Sequence, residues 1–165
     1  MSDKFVPVTG GCLCQAVRYE VDVNLSEGFY CHCKTCQKTS GAPTSVGVMA
    51  KPGTLRFTKE DPKYFQSSPI GSRGFCQHCG SRLTWVSPDR EDWIVVFAGS
   101  LDQPEHVVPI EHLSVESQLP WHEIADDLPR KRSEDDAELI EAWASAGLTH
   151  EGKPILLIDY TLFFV

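Results

Sequence analysis

The residues in this sequence best suited to chemistry are its seven cysteines, which fall into three clusters. The central cluster places three thiols within a six-residue stretch, and a cysteine pair lies on each side of it along the chain. The clusters are Cys12 and Cys14, then Cys31, Cys33 and Cys36, then Cys76 and Cys79. Thiols grouped in this way are typical of metal sites.

The two outer pairs, Cys12/Cys14 and Cys76/Cys79, suit one structural zinc site. Structural zinc takes four ligands in a tetrahedron, usually as two sequence-local pairs that the fold brings together. On an extended backbone Cys12 and Cys14 share one face, and Gly80 can supply the positive φ that closes the second pair. We therefore expect a closed, all-thiolate zinc site whose role is stability.

The central cluster, Cys31, Cys33 and Cys36, then remains for a second zinc ion. Three protein ligands and an open fourth position are typical of catalytic zinc, where the open position admits water or substrate. A soft, thiolate-rich zinc favours a sulfur ligand and keeps an incoming thiol deprotonated. We therefore predict two zinc ions per chain and a small thiol as substrate of the second.

Several different roles remain open for these cysteines. His32 or His78 could complete a second closed site, although His32 alternates with the cysteines, which favours an orientation away from them. Cys33 and Cys36 could form a redox dithiol, but the chain shows no βαβ unit to carry it. Iron could replace zinc, and an odd cysteine count fits a disulfide framework poorly. We expect the remaining histidines to be surface or capped residues: His106, His112, His122 and His150.

Length, composition and charge limit the fold and the partners. The 165 residues, 41% of them hydrophobic, suffice for one domain with a sizeable core. A net charge of -8 is the wrong sign for a nucleic-acid partner. The first residues contain no apolar signal segment, and no stretch reaches the roughly 20 apolar residues of a membrane helix. We expect a cytoplasmic protein with neither nucleic acid nor membrane as partner.

Short strands are the elements that must position the clusters. Val17, Tyr19 and Val21 alternate with polar residues, as in a half-buried strand. The apolar run at 93–98 predicts a strand buried on both faces, whereas 39–43 predicts a loop. Further short strands are predicted at 44–49, 54–57, 64–65, 82–85 and 112–115. The pattern predicts a mainly β fold of several small antiparallel sheets.

The pattern changes in the C-terminal part of the chain. Ser133 and Asp136 resemble a capping box, and the helix formers that follow predict a helix near 134–146. The apolar stretch 155–165 is too short to span a bilayer; we expect a final strand on the main sheet, with a homodimer contact as the second possibility. We therefore predict a zinc-binding domain over 1–132 and a helix-and-strand extension over 133–165 packed on it.

The motifs around the cysteines resemble those of a known family. They are Gly11-Cys-Leu-Cys-Gln-Ala-Val-Arg-Tyr19, Cys31-His-Cys-Lys-Thr-Cys-Gln-Lys-Thr-Ser-Gly-Ala-Pro43 and Arg73-Gly-Phe-Cys-Gln-His-Cys-Gly-Ser81, followed by Gly99-Ser-Leu-Asp102, Leu119-Pro-Trp121 and Asp127-Leu-Pro129. In this order they resemble the glutathione-dependent formaldehyde-activating enzyme (GFA) family, which includes centromere protein V. The resemblance covers about residues 8–132.

The resemblance implies a tent-like β fold with two zinc sites. Carried over to this chain, it assigns the structural zinc to Cys12, Cys14, Cys76 and Cys79. It assigns the second zinc, the catalytic one, to Cys31, Cys33 and Cys36.

The resemblance also implies a carbon–sulfur lyase activity, the reversible condensation of formaldehyde with glutathione to S-hydroxymethylglutathione. We therefore expect a lyase that acts on a glutathione-like thiol and a small aldehyde adduct. The alternative is a zinc-stabilised binding module without turnover. Lys34, Lys38 and Arg73 lie beside the clusters and could meet the carboxylates of glutathione.

Overall fold

The computed structural model describes residues 4–147, which form two β-sheets and two α-helices. The strands are β1 (Val6–Gly11), β2 (Arg18–Val23), β3 (Gly28–Cys31), β4 (Ser45–Met49), β5 (Arg56–Phe57), β6 (Lys63–Ser68), β7 (Gly71–Phe75), β8 (Arg82–Val86), β9 (Ile94–Phe97), β10 (Pro109–Leu113) and β11 (Arg130–Lys131). The helices are α1 (Lys34–Ser40) and α2 (Ala137–Ser145). The predicted fold class, mainly β with a C-terminal helix, is confirmed.

The strands form a small sheet and a large one. The small sheet is antiparallel, in the order β1-β2-β5, and the large sheet has the order β11-β10-β3-β4-β9-β8-β7-β6. Two pairs of the large sheet are parallel, because β10 runs parallel to both β3 and β11. The large sheet is therefore mixed, which the prediction of antiparallel sheets did not include.

The apolar core lies between the two sheets. Strand β2 turns Tyr19, Val21 and Val23 inward and leaves Glu20 exposed, which confirms the strand predicted from alternation. Strand β9, in the middle of the large sheet, is buried on both faces as predicted. The core cluster comprises Cys12, Val17, Tyr19, Val21, Val23, Val48, Ala50, Cys76, Leu83, Val96 and Leu101.

Helix α1 occupies part of the stretch that the sequence predicts as a loop. The helix extends through Thr39 and Ser40 and ends at Gly41, which has a left-handed φ of 68° and donates its backbone N–H to Gln37. The hydroxyls of Thr39 and Ser40 each donate at 2.7 Å to a carbonyl one turn back, those of Thr35 and Cys36. The loop prediction for 39–43 is wrong at its first two residues, because the helix that Cys33 caps continues to its left-handed C-cap at Gly41.

Helix α2 begins three residues later than the prediction of 134–146. Its N-cap is Asp136, whose carboxylate accepts the backbone N–H of Leu139 at 3.0 Å. Ser133 lies instead in a preceding 3-10 turn. Within residues 4–147, no helix is both long and apolar enough to cross a lipid bilayer. The strand or homodimer contact predicted at 155–165 lies outside the described residues.

Candidate metal centres

The outer cysteine pairs converge although they lie far apart in the sequence. Cys12 and Cys14 follow β1, and Cys76 and Cys79 lie between β7 and β8. All four sulfurs lie within 4.8 Å of one another. The Cys12–Cys14 and Cys14–Cys76 sulfur separations are 3.5 and 3.7 Å, near the ~3.8 Å that a tetrahedron with 2.3 Å Zn–S bonds requires. The donor set and its spacing therefore fit one zinc ion.

Each pair sits on a turn that brings its thiols toward the other pair. Gly80 has a φ of 73° and donates its N–H to Cys76 at 2.8 Å, as expected for the closing glycine. Cys12 and Cys14 lie on a β-turn, in which the N–H of Gln15 donates to the Cys12 carbonyl at 3.0 Å. The extended backbone predicted for this pair is therefore wrong. Gln15, the last residue of this turn, has a left-handed φ of 63°.

The central cluster is built where β3 passes into α1. Cys31 ends the strand, Cys33 is the N-cap of the helix, and Cys36 lies in its first turn. The N–H of Cys36 donates to the Cys33 sulfur at 3.3 Å, and the three sulfurs lie within 4.8 Å of one another. Within residues 4–147, no fourth Cys, His, Asp or Glu ligand atom joins this group. Three thiols with an open side fit a zinc ion that keeps one coordination position for another ligand.

Two arginines, Arg73 buried and Arg82 half-buried, supply positive charge beside Cys36. Arg73 is 4% exposed and directs one guanidinium nitrogen to the Cys36 sulfur at 3.7 Å. Arg82 lies 3.7 Å from the centre of the Phe97 ring and donates to the Thr39 hydroxyl at 2.7 Å. Hydrogen bonds from the two neighbouring thiols hold the pKa of Cys36 well below its ordinary value, and both arginines act in the same direction.

The three bases that the sequence places near the clusters have different positions. Arg73 contacts the cluster, and Lys34 lines the adjoining cavity, where its ammonium donates to Gln37 and to the Ser117 carbonyl. Lys38 is exposed and does not line the cavity. Arg82 was missed because it approaches Cys36 only through the fold, and no local motif indicates that.

His32 faces away from the sulfurs into a buried chain of polar groups. Its Nε2 lies 2.8 Å from Nδ1 of His112, whose Nε2 lies 3.1 Å from both carboxylate oxygens of Asp126. Both histidines are 0% exposed, and the Tyr30 ring stacks on His112 at 4.8 Å. Burial lowers the pKa of His32 to about 4, which keeps its ring neutral. His112, expected to be a surface or capped residue, is instead a fully buried one.

The geometry gives little support to a histidine ligand, a disulfide framework or a redox dithiol. His78 is half-exposed, and its Nε2 lies 2.7 Å from a Glu60 carboxylate oxygen, so neither this histidine nor His32 belongs to a sulfur cluster. All seven cysteines are free thiols, which excludes a disulfide framework in this structure. Cys33 and Cys36 do open a helix, but the flanking strands β3 and β4 are antiparallel, so no βαβ unit is formed.

A cavity of about 660 Å³ adjoins the central cluster. Strand β9 separates it from the core, because Val95 and Phe97 line the cavity while Val96 packs into the core. Cys31, Cys33 and Cys36 line one part of it, and residues of β11 and α2 contribute a further wall. The open side of the three-sulfur cluster is thus next to a space that can hold a ligand.

The fold and the site together define a class: a mainly β protein in which two cysteine clusters can each hold a metal ion, one closed and one facing a cavity. Residues 7–117 match the family described as glutathione-dependent formaldehyde-activating enzyme, and the chain belongs to this GFA family. The resemblance inferred from the cysteine motifs is thereby confirmed. At the family level this membership supports an activity of the glutathione-dependent, formaldehyde-activating type.

Other comparisons are more distant. A crystal structure of a Rhodobacter sphaeroides protein is 21% identical in sequence, with a TM-score of 0.49, and the match covers 57% of this chain and 87% of that one. No curated protein matches the sequence. The family match ends at residue 117, before β11 and α2.

Proposed function

We propose that this protein is a zinc-dependent carbon–sulfur lyase of the GFA type. It condenses a small, glutathione-like thiol with a small aldehyde and catalyses the reverse cleavage of the adduct, of which S-hydroxymethylglutathione is the simplest example. The observation that carries the proposal is the position of Cys31, Cys33 and Cys36, three thiols without a fourth ligand among residues 4–147, beside a cavity. The proposal places the enzyme in the cytoplasm, where thiols stay reduced.

Cys31, Cys33 and Cys36 hold the second zinc in this proposal, and Cys12, Cys14, Cys76 and Cys79 hold the structural one. When bound in the central cluster, zinc supplies a Lewis acid that stabilises the substrate sulfur as a thiolate at neutral pH. Cys31, Cys33 and Cys36 are catalytic residues only in the sense that they hold this zinc. Their placement on a strand end and a helix cap keeps the reacting sulfur next to the cavity.

The surrounding charges favour an anionic substrate sulfur. Three thiolates and a divalent ion leave one net negative charge, which the guanidinium groups of Arg73 and Arg82 convert to one net positive charge. A substrate thiolate makes the whole group neutral. Both arginines are largely buried, so this charge balance is weakly screened by solvent.

The bond changes balance without an oxidant or a reductant. The thiolate sulfur donates an electron pair to the aldehyde carbon and the C–S bond forms. The carbonyl π pair moves to oxygen, and the resulting alkoxide takes a proton from solvent. In the reverse direction the hydroxyl loses that proton, the C=O bond re-forms, and the sulfur leaves as a thiolate. Positioning and charge stabilisation account for most of the rate in this scheme.

The test compares Cys36→Ser with Cys76→Ser. We expect the wild type to hold two zinc ions per chain and to consume formaldehyde in the presence of glutathione. Cys36→Ser should hold one ion, keep its fold by circular dichroism and lose the activity, because only the cavity-facing site is damaged. Cys76→Ser should lower the unfolding midpoint strongly, because it removes a ligand that joins distant parts of the chain.

Two results would contradict this proposal. If Cys36→Ser unfolded the protein as severely as Cys76→Ser, the two sites would not differ in role. If the wild type held both ions but left formaldehyde unconsumed, the alternative function, a zinc-stabilised binding module, would replace the lyase.

A further inference from the structure

The cavity is much larger than the simplest aldehyde requires. Its volume of about 660 Å³ lies within the range that holds a ligand of some tens of heavy atoms, whereas formaldehyde contributes one carbon and one oxygen. A glutathione-like thiol occupies part of the space. The remainder is lined both by residues of the family match, among them Trp85 and Trp93, and by residues of β11 and α2 beyond it.

The cavity lining is chemically divided. Near the cysteines it contains Arg73, Lys34 and the Ser45 hydroxyl, which are polar or charged. Elsewhere the lining is mixed: charged side chains such as Glu111, Lys131 and Glu138 lie beside an aromatic patch, in which Trp85 and Trp93 are in edge-to-face contact at 5.3 Å between ring centres. The apolar part comprises Trp85, Trp93, Val95, Leu139 and Trp143. A ligand that binds through sulfur at the cysteines can place an apolar group against this aromatic patch of the same cavity.

The α2 wall is attached to the sheet that carries the tryptophans. The Arg90 guanidinium lies 4.8 Å from the centre of the Trp93 ring and also 3.3 Å from a Glu138 carboxylate oxygen. The first turn of the helix is capped by Asp136. Trp143, 8% exposed, is the buried residue of this helix. The apolar side of α2 is therefore held toward the cavity.

We infer that the carbonyl substrate of this enzyme carries a ring-sized apolar group, which binds among Trp85, Trp93 and Trp143 while the sulfur lies at the central cysteines. This inference rests on the proposed function and names the class of aldehyde for it: an arylalkyl or similarly bulky aldehyde in place of formaldehyde. The chemistry is unchanged, because the sulfur attacks the same carbonyl carbon and the alkoxide takes the same proton. The segment after residue 117 thus contributes to specificity through Leu139 and Trp143, which complete the patch begun by Trp85 and Trp93.

The test uses two stable analogues of the adducts, S-methylglutathione and S-benzylglutathione, with the zinc-loaded full-length protein. Calorimetry should give a dissociation constant for the benzyl compound at least about tenfold lower, because a whole ring leaves water. Trp143→Ala should remove most of this preference and change the S-methylglutathione affinity less than about twofold. Leu139→Gln, on the same wall and compatible with a helix, should act in the same direction if Trp143→Ala proves unstable.

Trp121→Ala is the matched control. Trp121 is 72% exposed and does not line the cavity, so this variant should keep the preference. Equal binding of the two analogues to the wild type, or a preference that both wall variants retain, would overturn the inference. Turnover assays with glutathione and either phenylacetaldehyde or formaldehyde distinguish the lyase function from the apolar substrate. If the protein prefers the benzyl analogue but turns over neither aldehyde, the lyase function is refuted. If it turns over formaldehyde without preferring the benzyl analogue, the apolar substrate is refuted.

Discussion

At the scale of single residues, the two arginines beside Cys36 distinguish the central cluster from the four-cysteine cluster. Arg73 is buried and Arg82 is half-buried beside the central cluster, and the Phe97 ring covers the Arg82 guanidinium. Such burial of a guanidinium is costly unless an anion is close. The Cys36 sulfur is that anion, since the arginines are among the groups that lower its pKa.

This arrangement predicts that Arg73→Met weakens metal retention at the central cluster. The variant keeps the volume and removes a charge-assisted hydrogen bond to sulfur, worth about 1.5 kcal/mol, which corresponds to roughly tenfold faster metal release. The measurement is zinc release to a chromophoric chelator, in which only one of two kinetic phases should accelerate. Arg56→Met is the control, since Arg56 pairs with Glu20 on the surface. An unchanged release rate in Arg73→Met would show that the arginine has no part in holding the cluster.

The sulfur clusters could be predicted from the sequence because the spacing within each is local. The side chains that contact the central cluster and its backbone could not be predicted from the sequence. Arg82 is 46 residues from Cys36, and His112 is 80 residues from His32, so their contacts depend on strand pairing that no short motif indicates. The assignment of all seven cysteines as metal ligands stays a prediction.

At the scale of elements, the segment from β3 to α1 is held from behind by the buried chain of His32, His112 and Asp126. The strand alternation that points Cys31 and Cys33 toward the metal side points His32 the other way. Strand β10 brings His112 to meet it, through its parallel pairing with β3. The backbone carrying two of the three thiols is thus fixed by a hydrogen bond on its opposite face.

His112→Ala should therefore damage the central cluster without reaching the four-cysteine cluster. The change leaves a cavity and an unpaired buried His32, for which we expect a loss of about 2–4 kcal/mol in unfolding free energy. After brief exposure to a chelator, metal analysis should find one zinc per chain in this variant and two in the wild type. His106→Ala, on an exposed turn, should behave as the wild type. Retention of both ions by His112→Ala would contradict the positioning role.

The elements themselves were predictable where the side chains alternate, as in β2, or form a short apolar run, as in β9. Strand β7 was missed because glycines at 71 and 74 argue against a strand. The structure explains them: a Cβ at Gly71 would overlap the Trp85 indole, and one at Gly74 would overlap the Thr84 hydroxyl. Packing against the neighbouring strand β8 therefore requires glycine at these two positions of β7, although glycine has a low intrinsic preference for strands.

At the scale of the whole molecule, the two sheets are joined by side-chain contacts between residues that lie more than 80 residues apart in the sequence. Arg18 of β2 forms a two-pronged ion pair with Asp102, one prong of which is 2.8 Å long, and Thr9 donates to the same carboxylate. The neighbouring Tyr19 hydroxyl lies 2.6 Å from that of Ser100. The stretch 99–102, which follows β9, is thus attached to the small sheet by side chains of adjacent residues.

This junction predicts a pH-dependent contribution to stability. The Arg18 guanidinium, helped by Thr9, lowers the pKa of Asp102 to about 2 from an ordinary value of 3.8. Because the pKa is lower in the folded state, the contribution is complete above about pH 4 and is lost as the pH falls toward 2. Asp102→Asn should cost up to about 1 kcal/mol at pH 7, a modest figure because the carboxylate is partly exposed.

Chemical unfolding of the wild type and Asp102→Asn at several pH values checks this prediction. The difference between their unfolding free energies should shrink as the pH is lowered from 4 to 2. A difference that stays constant over that range would show that the ionised carboxylate is not the source of the stability.

The separation of the metal clusters from the α2 wall also bears on how this protein could have diverged. All seven cysteines lie within the family-matched residues 7–117, whereas β11 and α2, which complete the cavity, follow at 130–145. Mutations in the later segment can reshape the cavity without touching a metal ligand. A lineage that keeps the first segment under purifying selection can therefore acquire new substrates through the second, and paralogues should differ most along that wall.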